Sequence, residues 1–324
     1  MSSFSKKKLD EEKSGTRKSM LILIKKTFND LASLKKFILS LVVMMLFPII
    51  FLLFPSSIDY GSVSAQHGAS AICIAIIFPM FYWTLGMAFI SIIGISGSSL
   101  IAEEVRSGTM LILVSKPITR TKIFLGKFIA LFLYGALLSF VAIFLLGWIA
   151  VLRYSANLFH FYGMIPFLLT TYLYSLVILL IFVSISLAFS SILKTPRNAG
   201  LGLLFLAIFS FLGMMLLKMF IADYYESSYL YNIDLGYHLA NIYIGFLDFF
   251  KAIPPVADWQ QNFAMTMGVY ESTSPTDPDQ DINPGGMTRT DYYLPVFSLL
   301  LWVCIAIALL IFGLFSLKKR EITV

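Results

Sequence analysis

The sequence predicts an all-α integral membrane protein with six transmembrane helices. Three observations carry that reading. Of 324 residues, 58% are hydrophobic and 13% charged, against about 45–50% and about 25% in soluble domains. Six apolar runs approach the ~20 residues that a helix needs to cross a hydrocarbon core. The basic residues gather at the ends of those runs, where a bilayer places them. The same placement argues that the net charge of +6 is a membrane signature and not a nucleic-acid footprint. Cys73 and Cys304 sit far apart inside apolar runs, so neither a disulfide framework nor a cysteine metal site is expected; both read as small packing residues.

Residues 1–18 include "SSFSKKKLDEEKSG", which lacks apolar periodicity and predicts a disordered tail. Residues 19–36 differ. Ile24, Phe28 and Leu31 recur at helical spacing beside lysine pairs at 25–26 and 35–36. This is a basic amphipathic helix suited to lie flat on the membrane and feed the first span. No cleavable signal peptide is expected, because mostly polar and basic residues 1–36 are too long for its charged leader region.

Residues 37–324 hold the six spans: Phe37–Phe54, Ala71–Ile95, Phe128–Val151, Met164–Leu193, Ala199–Leu217 and Leu294–Leu317. None contains Asp, Glu, Lys or Arg. Pro48 and Pro79 predict kinks, tolerated where neighbours re-satisfy the freed carbonyls. Small pairs such as Ser184/Ala188 and Ser186/Ser190 predict close helix packing. Tyr82, Trp83, Tyr134, Tyr172 and Tyr174 suit packing or a substrate path, and the sequence does not choose. Twenty basic residues flank one face of the membrane, against Arg153, Lys218, Lys251 and Arg289 on the other. That asymmetry predicts cytoplasmic termini.

Residues 218–293 form a large outer segment with ten acidic and three basic residues. Within it "NIYIGFLDFFKAI" predicts a helix lying in or dipping into the outer interface, and "STSPTDPDQDINPGG" is turn chemistry. A plain surface cap and a partner-binding surface both fit. His67, His160 and His238 are isolated in sequence and are expected in outer loops.

Residues 96–127 make a cytoplasmic loop between spans two and three. Gly94, Gly97 and nearby serines are expected to loosen the exit from span two. "LIAEEVRSGT" then predicts a short helix with Leu100, Ile101 and Val105 on one face and a Glu103–Arg106 pair on another. Gly108 suits a helix stop. "MLILV" is too short to span, and Pro117 breaks the chain again. Arg120, Lys122 and Lys127 are expected to snorkel toward headgroups. From residues alone this is either a simple connection or a dock presenting Glu103, Glu104 and Arg106 to a soluble partner.

"LIAEEVRSGTMLILVSKPITRTKIFLGKFIA" resembles the cytoplasmic loop of ABC type-2 exporter permeases. The matching residues are Glu103, Glu104, Arg106, Gly108–Thr109, Pro117–Ile118, Arg120 and Gly126–Lys127. "IKKTFNDLASLKKF" resembles that family's N-terminal helix. The resemblance implies the transmembrane permease subunit of an ATP-driven ABC transporter, an exporter of the cell membrane. Its partners would be cytoplasmic ABC ATPase subunits, a second permease subunit (the same chain or a sister) and the lipid bilayer, with no nucleic acid. Leu100, Ile101, Glu103, Glu104, Arg106, Gly108 and Thr109 would form the coupling helix on which the ATPase docks, with Pro117 and Arg120 as the loop turn. No cofactor is expected in this chain, because no Gly-x-x-x-x-Gly-Lys-[Ser/Thr] phosphate cradle is present; ATP and magnesium would belong to the partner.

Rival readings meet specific obstacles. An ion-coupled transporter usually carries ionisable groups at mid-membrane, which these runs lack. An enzyme needs a nucleophile–base or metal constellation, and adjacent Glu103 and Glu104 point about 100° apart on a helix. A non-transporting assembly or signalling subunit using the same ATPase dock stays open, as does the cargo.

Overall fold

A computed structural model describes residues 20–53, 64–108, 119–154, 156–193, 195–254, 258–272 and 287–319. The expected tail 1–18, "MLILV" at 110–114 and most of "STSPTDPDQDINPGG" lie outside them. Helix α1 covers 20–31. Six helices are long and apolar enough to cross a membrane: α2 (Leu34–Leu53), α3 (Gln66–Arg106), α4 (Arg120–Arg153), α5 (Leu158–Ile192), α6 (Pro196–Phe220) and α10 (Pro295–Lys319). Each expected span lies in one of them, to within a residue at the ends. The chain is an all-α multi-pass membrane protein.

Several helices overrun their apolar cores. With 41 residues, α3 has about twice the ~20 residues that cross the hydrocarbon core. Its excess reaches through the expected loosened exit. Gly94 to Ser99 stay helical, with Ser98 and Ser99 donating to the carbonyls of Ile95 and Ser96 at 2.8 and 3.0 Å. A hydroxyl that bonds its own helix does not compete with it where water is absent.

At Pro48 a neighbour re-satisfies the freed carbonyl, as expected. A proline at that position removes the N–H that would bond the Met44 carbonyl four residues back. Thr84 on α3 donates its hydroxyl to Met44 O at 3.3 Å, and Trp83 Nε1 donates to Val43 O at 2.8 Å. In α3, Pro79 precedes a π-helical stretch, Met80–Ala88, which contains a true break at Gly86 (φ −84°, ψ −106°). Helix α6 has its own π turn, Phe209–Gly213. The two meet: the Phe211 ring fills the space a Cβ on Gly86 would need.

Helices α3 and α5 form the buried centre, and α2 and α10 lie at the periphery. Small residues bring α5 close to its neighbours, as the sequence suggests. Ser186 donates to Gly94 O at 3.0 Å, and Gly313 of α10 approaches the Ala188 backbone. Tyr134 meets Ser40 at 3.1 Å, so it ties α4 to α2. Cys73 is buried, but Cys304 is exposed on the outer face of α10 and does not pack inside.

At the other end the described part of 218–293 folds into a cap: α7 (Ala222–Ser227), α8 (Leu235–Phe249), α9 (Asp258–Met267) and a two-stranded hairpin. In the hairpin β1 (Tyr270–Ser272) pairs antiparallel with β2 (Met287–Arg289), Tyr270 opposite Arg289. Asp234 organises the cap. One carboxylate oxygen accepts the Tyr237 N–H at 3.1 Å and starts α8; the other takes Lys218 at 2.5 Å and the Tyr225 hydroxyl at 2.8 Å. Helix α8 dips between α5 and α10. Tyr174, near the middle of α5, donates to Leu239 O at 3.0 Å, and Thr171 meets Tyr243 at 3.1 Å. Such depth is open to a connecting segment only because its backbone is helical and enclosed by protein.

The expected loop positions of two histidines are corrected. His160 is buried in the first turn of α5, where its ring nitrogen accepts the Asn157 N–H at 3.2 Å in a reciprocal cap. His238 is buried in α8, with Nδ1 3.0 Å from Ser298 Oγ and Nε2 3.3 Å from Asn232 O. Only His67 is exposed, in the first turn of α3.

Two outcomes follow. Thr84→Val strips Met44 O of its donor and lowers the thermal midpoint in detergent, at a cost of about 1–3 kcal/mol. Adding Pro48→Ala supplies the missing N–H, so the double variant recovers part of the loss; a double variant no better than the single contradicts the pairing. Desolvation holds the His238 imidazole below its ordinary value of 6.5. Below about pH 6.5 the unfolded chain takes up that proton and the fold does not, so stability falls as pH drops. Thermal melts at pH 7.5 and 5.5 should diverge in the wild type and converge in His238→Gln.

Candidate functional site

The described residues singled out by the loop sequence cluster at the C-terminal tip of α3. Glu103 and Arg106 pair at 3.0 Å, as their spacing suggests, with 45% and 63% of their side chains exposed. An exposed pair of this kind stabilises a helix by only about 0.3–0.5 kcal/mol. It is therefore an available surface more than a structural brace. Ser107 closes the helix on Glu103 O at 2.9 Å, and Gly108 turns the chain away at φ +72° with open space around it. A residue with a Cβ is strained at that angle, which is why glycine ends the helix. Thr109 and Pro117 lie outside the described residues.

The tip is not a separate rod. It is the end of the uninterrupted helical stretch Phe89–Arg106 that forms the second part of α3, and its inward face is fixed at two points. Ile101 is fully buried and Leu100 partly so; Ile101 is thus an anchor for the tip and not a contact open to a partner. Glu104 turns inward to Lys127, whose ammonium also donates to Leu100 O. Lys127 is 1% exposed, against 31% for Glu104. The expected snorkelling of Lys127 is corrected: its position, two turns into α4, faces α3 instead of the headgroups, and a carboxylate and a carbonyl replace water there. Arg120 behaves differently again. It donates to Leu317 O and Lys318 O at 3.1 and 3.0 Å, capping the end of α10, where unsatisfied carbonyls favour a cation.

The second fixing point was assigned only to packing from sequence. Ser190 of α5 donates to Ser98 O at 2.7 Å and accepts the N–H groups of Ile101 and Ala102 at 3.1 and 3.0 Å. One hydroxyl is thereby set into the α3 ladder at the foot of the tip, a recognised way to make a local bend. The only sequence signal for it is the small-residue spacing of α5. The site thus presents one carboxylate–guanidinium pair outward and is tied inward to α4 and α5.

The ABC-2 family transporter protein family matches residues 21–322. A search of curated proteins finds no match. The matched range runs from α1 through α10 and includes every span and the tip of α3. This chain belongs to the ABC-2 transporter family, as a multi-pass membrane permease subunit.

Proposed function

We propose that this subunit couples ATP hydrolysis by a separate ABC ATPase to outward movement of a substrate. The ATPase carries the ATP and magnesium and docks on the α3 tip through Glu103, Arg106, Gly108 and Thr109. The tip, both termini and the ATPase share the cytoplasmic side of the cell membrane, in line with the basic-residue asymmetry. A second permease subunit, identical or a sister chain, completes the pathway, with Pro117 and Arg120 shaping the turn that leads into α4.

One observation carries the coupling step. The exposed pair is continuous with a transmembrane helix, so a displacement of the tip cannot be absorbed in a loop. It passes through Glu104–Lys127 to α4 and through Ser190 to α5. The break at Gly86, packed on the π turn of α6, supplies a level about which the inner half of α3 can tilt. Small helix shifts of this kind switch packed interfaces between discrete arrangements.

The test separates docking from transmission. Co-purified in mild detergent, Glu103→Lys should retain about ten-fold less ATPase, equivalent to about 1.4 kcal/mol of binding, while still inserting in the membrane. Glu104→Gln should keep the ATPase but lose stability by about 3 kcal/mol, because it strands a buried ammonium. The double variant Glu104→Gln/Lys127→Met should regain stability yet leave ATP turnover unresponsive to substrate. Unchanged ATPase stoichiometry in Glu103→Lys sinks the docking assignment. Full coupling in the double variant sinks the transmission step. Retained ATPase with no solute flux under any condition would favour an assembly or signalling subunit instead.

A further inference from the structure

At the capped end of the bundle, a cavity of about 570 Å³ opens between α8 and the start of α10. Gly245, Phe246, Val296 and Leu299 give it apolar walls, and among the described residues Asp248 and Arg289 are its charged members. Its depth is set by sequence. Pro295 starts the apolar run of α10, so the cavity lies where that span enters the membrane interface. Exposed Phe249 and Phe250 sit at the same level, as interfacial aromatic rings do.

Arg289 is incompletely satisfied. Its Nη2 donates to the backbone and side-chain oxygens of Asn241 at 2.8 and 2.6 Å. Both acceptors are neutral. Its Nε is shielded from solvent and has no hydrogen-bond partner among the described residues. No carboxylate of the described residues forms an ion pair with it. A half-buried guanidinium that lines a cavity and meets only neutral acceptors keeps an uncompensated positive charge, which favours an anionic oxygen beside it. Asp248 is exposed at the rim. With one charge of each sign among the described residues, the cavity lining has no net charge to offer a headgroup that is itself net negative.

We infer that this cavity holds one zwitterionic phospholipid of the adjoining leaflet, its phosphate on Arg289, its ammonium toward Asp248 and an acyl chain along Phe246, Val296 and Leu299. The site is independent of the transported solute and of ATPase docking. It joins α8, β2 and α10 through a molecule that neither a soluble phosphate nor a simple apolar tail replaces.

The experiment uses the full chain, delipidated and titrated with defined lipids under native mass spectrometry. Wild type should take up one phosphatidylethanolamine in preference to phosphatidylglycerol. Arg289→Gln should weaken that occupancy about ten-fold, and Arg289→Lys should retain most of it. Leu299→Trp fills the cavity and should block uptake. Asp248→Asn leaves the site with a net positive charge and should move the preference toward phosphatidylglycerol. Thermal melts confirm that each variant is folded. Equal uptake by wild type and folded Leu299→Trp overturns the site. An unchanged headgroup preference in Asp248→Asn overturns the charge assignment, and competition by glycerophosphoethanolamine at equal concentration overturns the acyl part.

Discussion

The ammonium of Lys127 is held out of water beside the first turns of α4, and the inner end of the bundle is arranged around it. Removing a charge from water costs several kcal/mol even after relaxation, and a single partner repays this only with good geometry. Lys127 therefore requires both Glu104 and Leu100 O. Those two acceptors lie one helical turn apart on α3. Meeting them fixes the rotation of α3 about its own axis as well as its distance from α4. With that rotation set, Ile101 must point inward and Glu103 with Arg106 must point outward. One ion pair thus determines which residues of the tip face outward.

The capped end obeys the same rule with a different cast. Lys218 is enclosed at the end of α6, and Asp234 and Met267 O receive it. Burial and the Asp234 carboxylate both push the Tyr225 hydroxyl well above its ordinary range, so it remains a donor to that carboxylate. Asp234 in turn begins α8. An inserted helix, a buried lysine and a tyrosine are therefore held by one side chain, and the enclosure of α8 depends on it.

How much of this was legible depends on the kind of signal. The spans were legible because uninterrupted apolar runs of that length have few alternatives in water. Gly108 was legible because left-handed backbone favours glycine. The exit from span two was not. Gly94, Gly97, Ser98 and Ser99 read as loop chemistry when water competes for hydroxyls, yet in the bundle the serines bond their own helix and the glycines admit Leu203 and Ser186. Lys127 was misplaced for a related reason. Spacing puts it at the edge of a span, but only the rotation of α4 decides between headgroups and a neighbouring helix. The depth of α8 had a usable sign: Leu235, Tyr237, Leu239, Ile242, Tyr243 and Ile244 cover more than one face, which marks a helix enclosed by protein and not one lying on an interface.

Continuity of the tip with α3 also constrains how motion divides. The contacts that tie α3 to α5 near the tip, from Gly94–Ser186 to Ser98–Ser190, all lie on the inner side of Gly86. So do the contacts of Gly94 with Leu203 and of Gly200 with Ser98 that tie α3 to α6. The contacts of the cap, from Tyr174–Leu239 to Lys218–Asp234, belong to the other half. Between these two sets stand the Gly86 break and the α6 π turn, joined by Phe211 and by Tyr82 donating to Phe211 O at 3.4 Å. From Phe89 to Arg106 the inner lever of α3 is about 27 Å long. A tip displacement of about 2 Å, the scale of interface helix shifts, needs a tilt of only about 4°. Two wide helical turns packed on each other can absorb that small rotation when α4 and α5 move with this half of α3, which keeps Lys127 on Glu104 and Ser190 in the α3 ladder; a bend nearer the tip would pull those contacts apart.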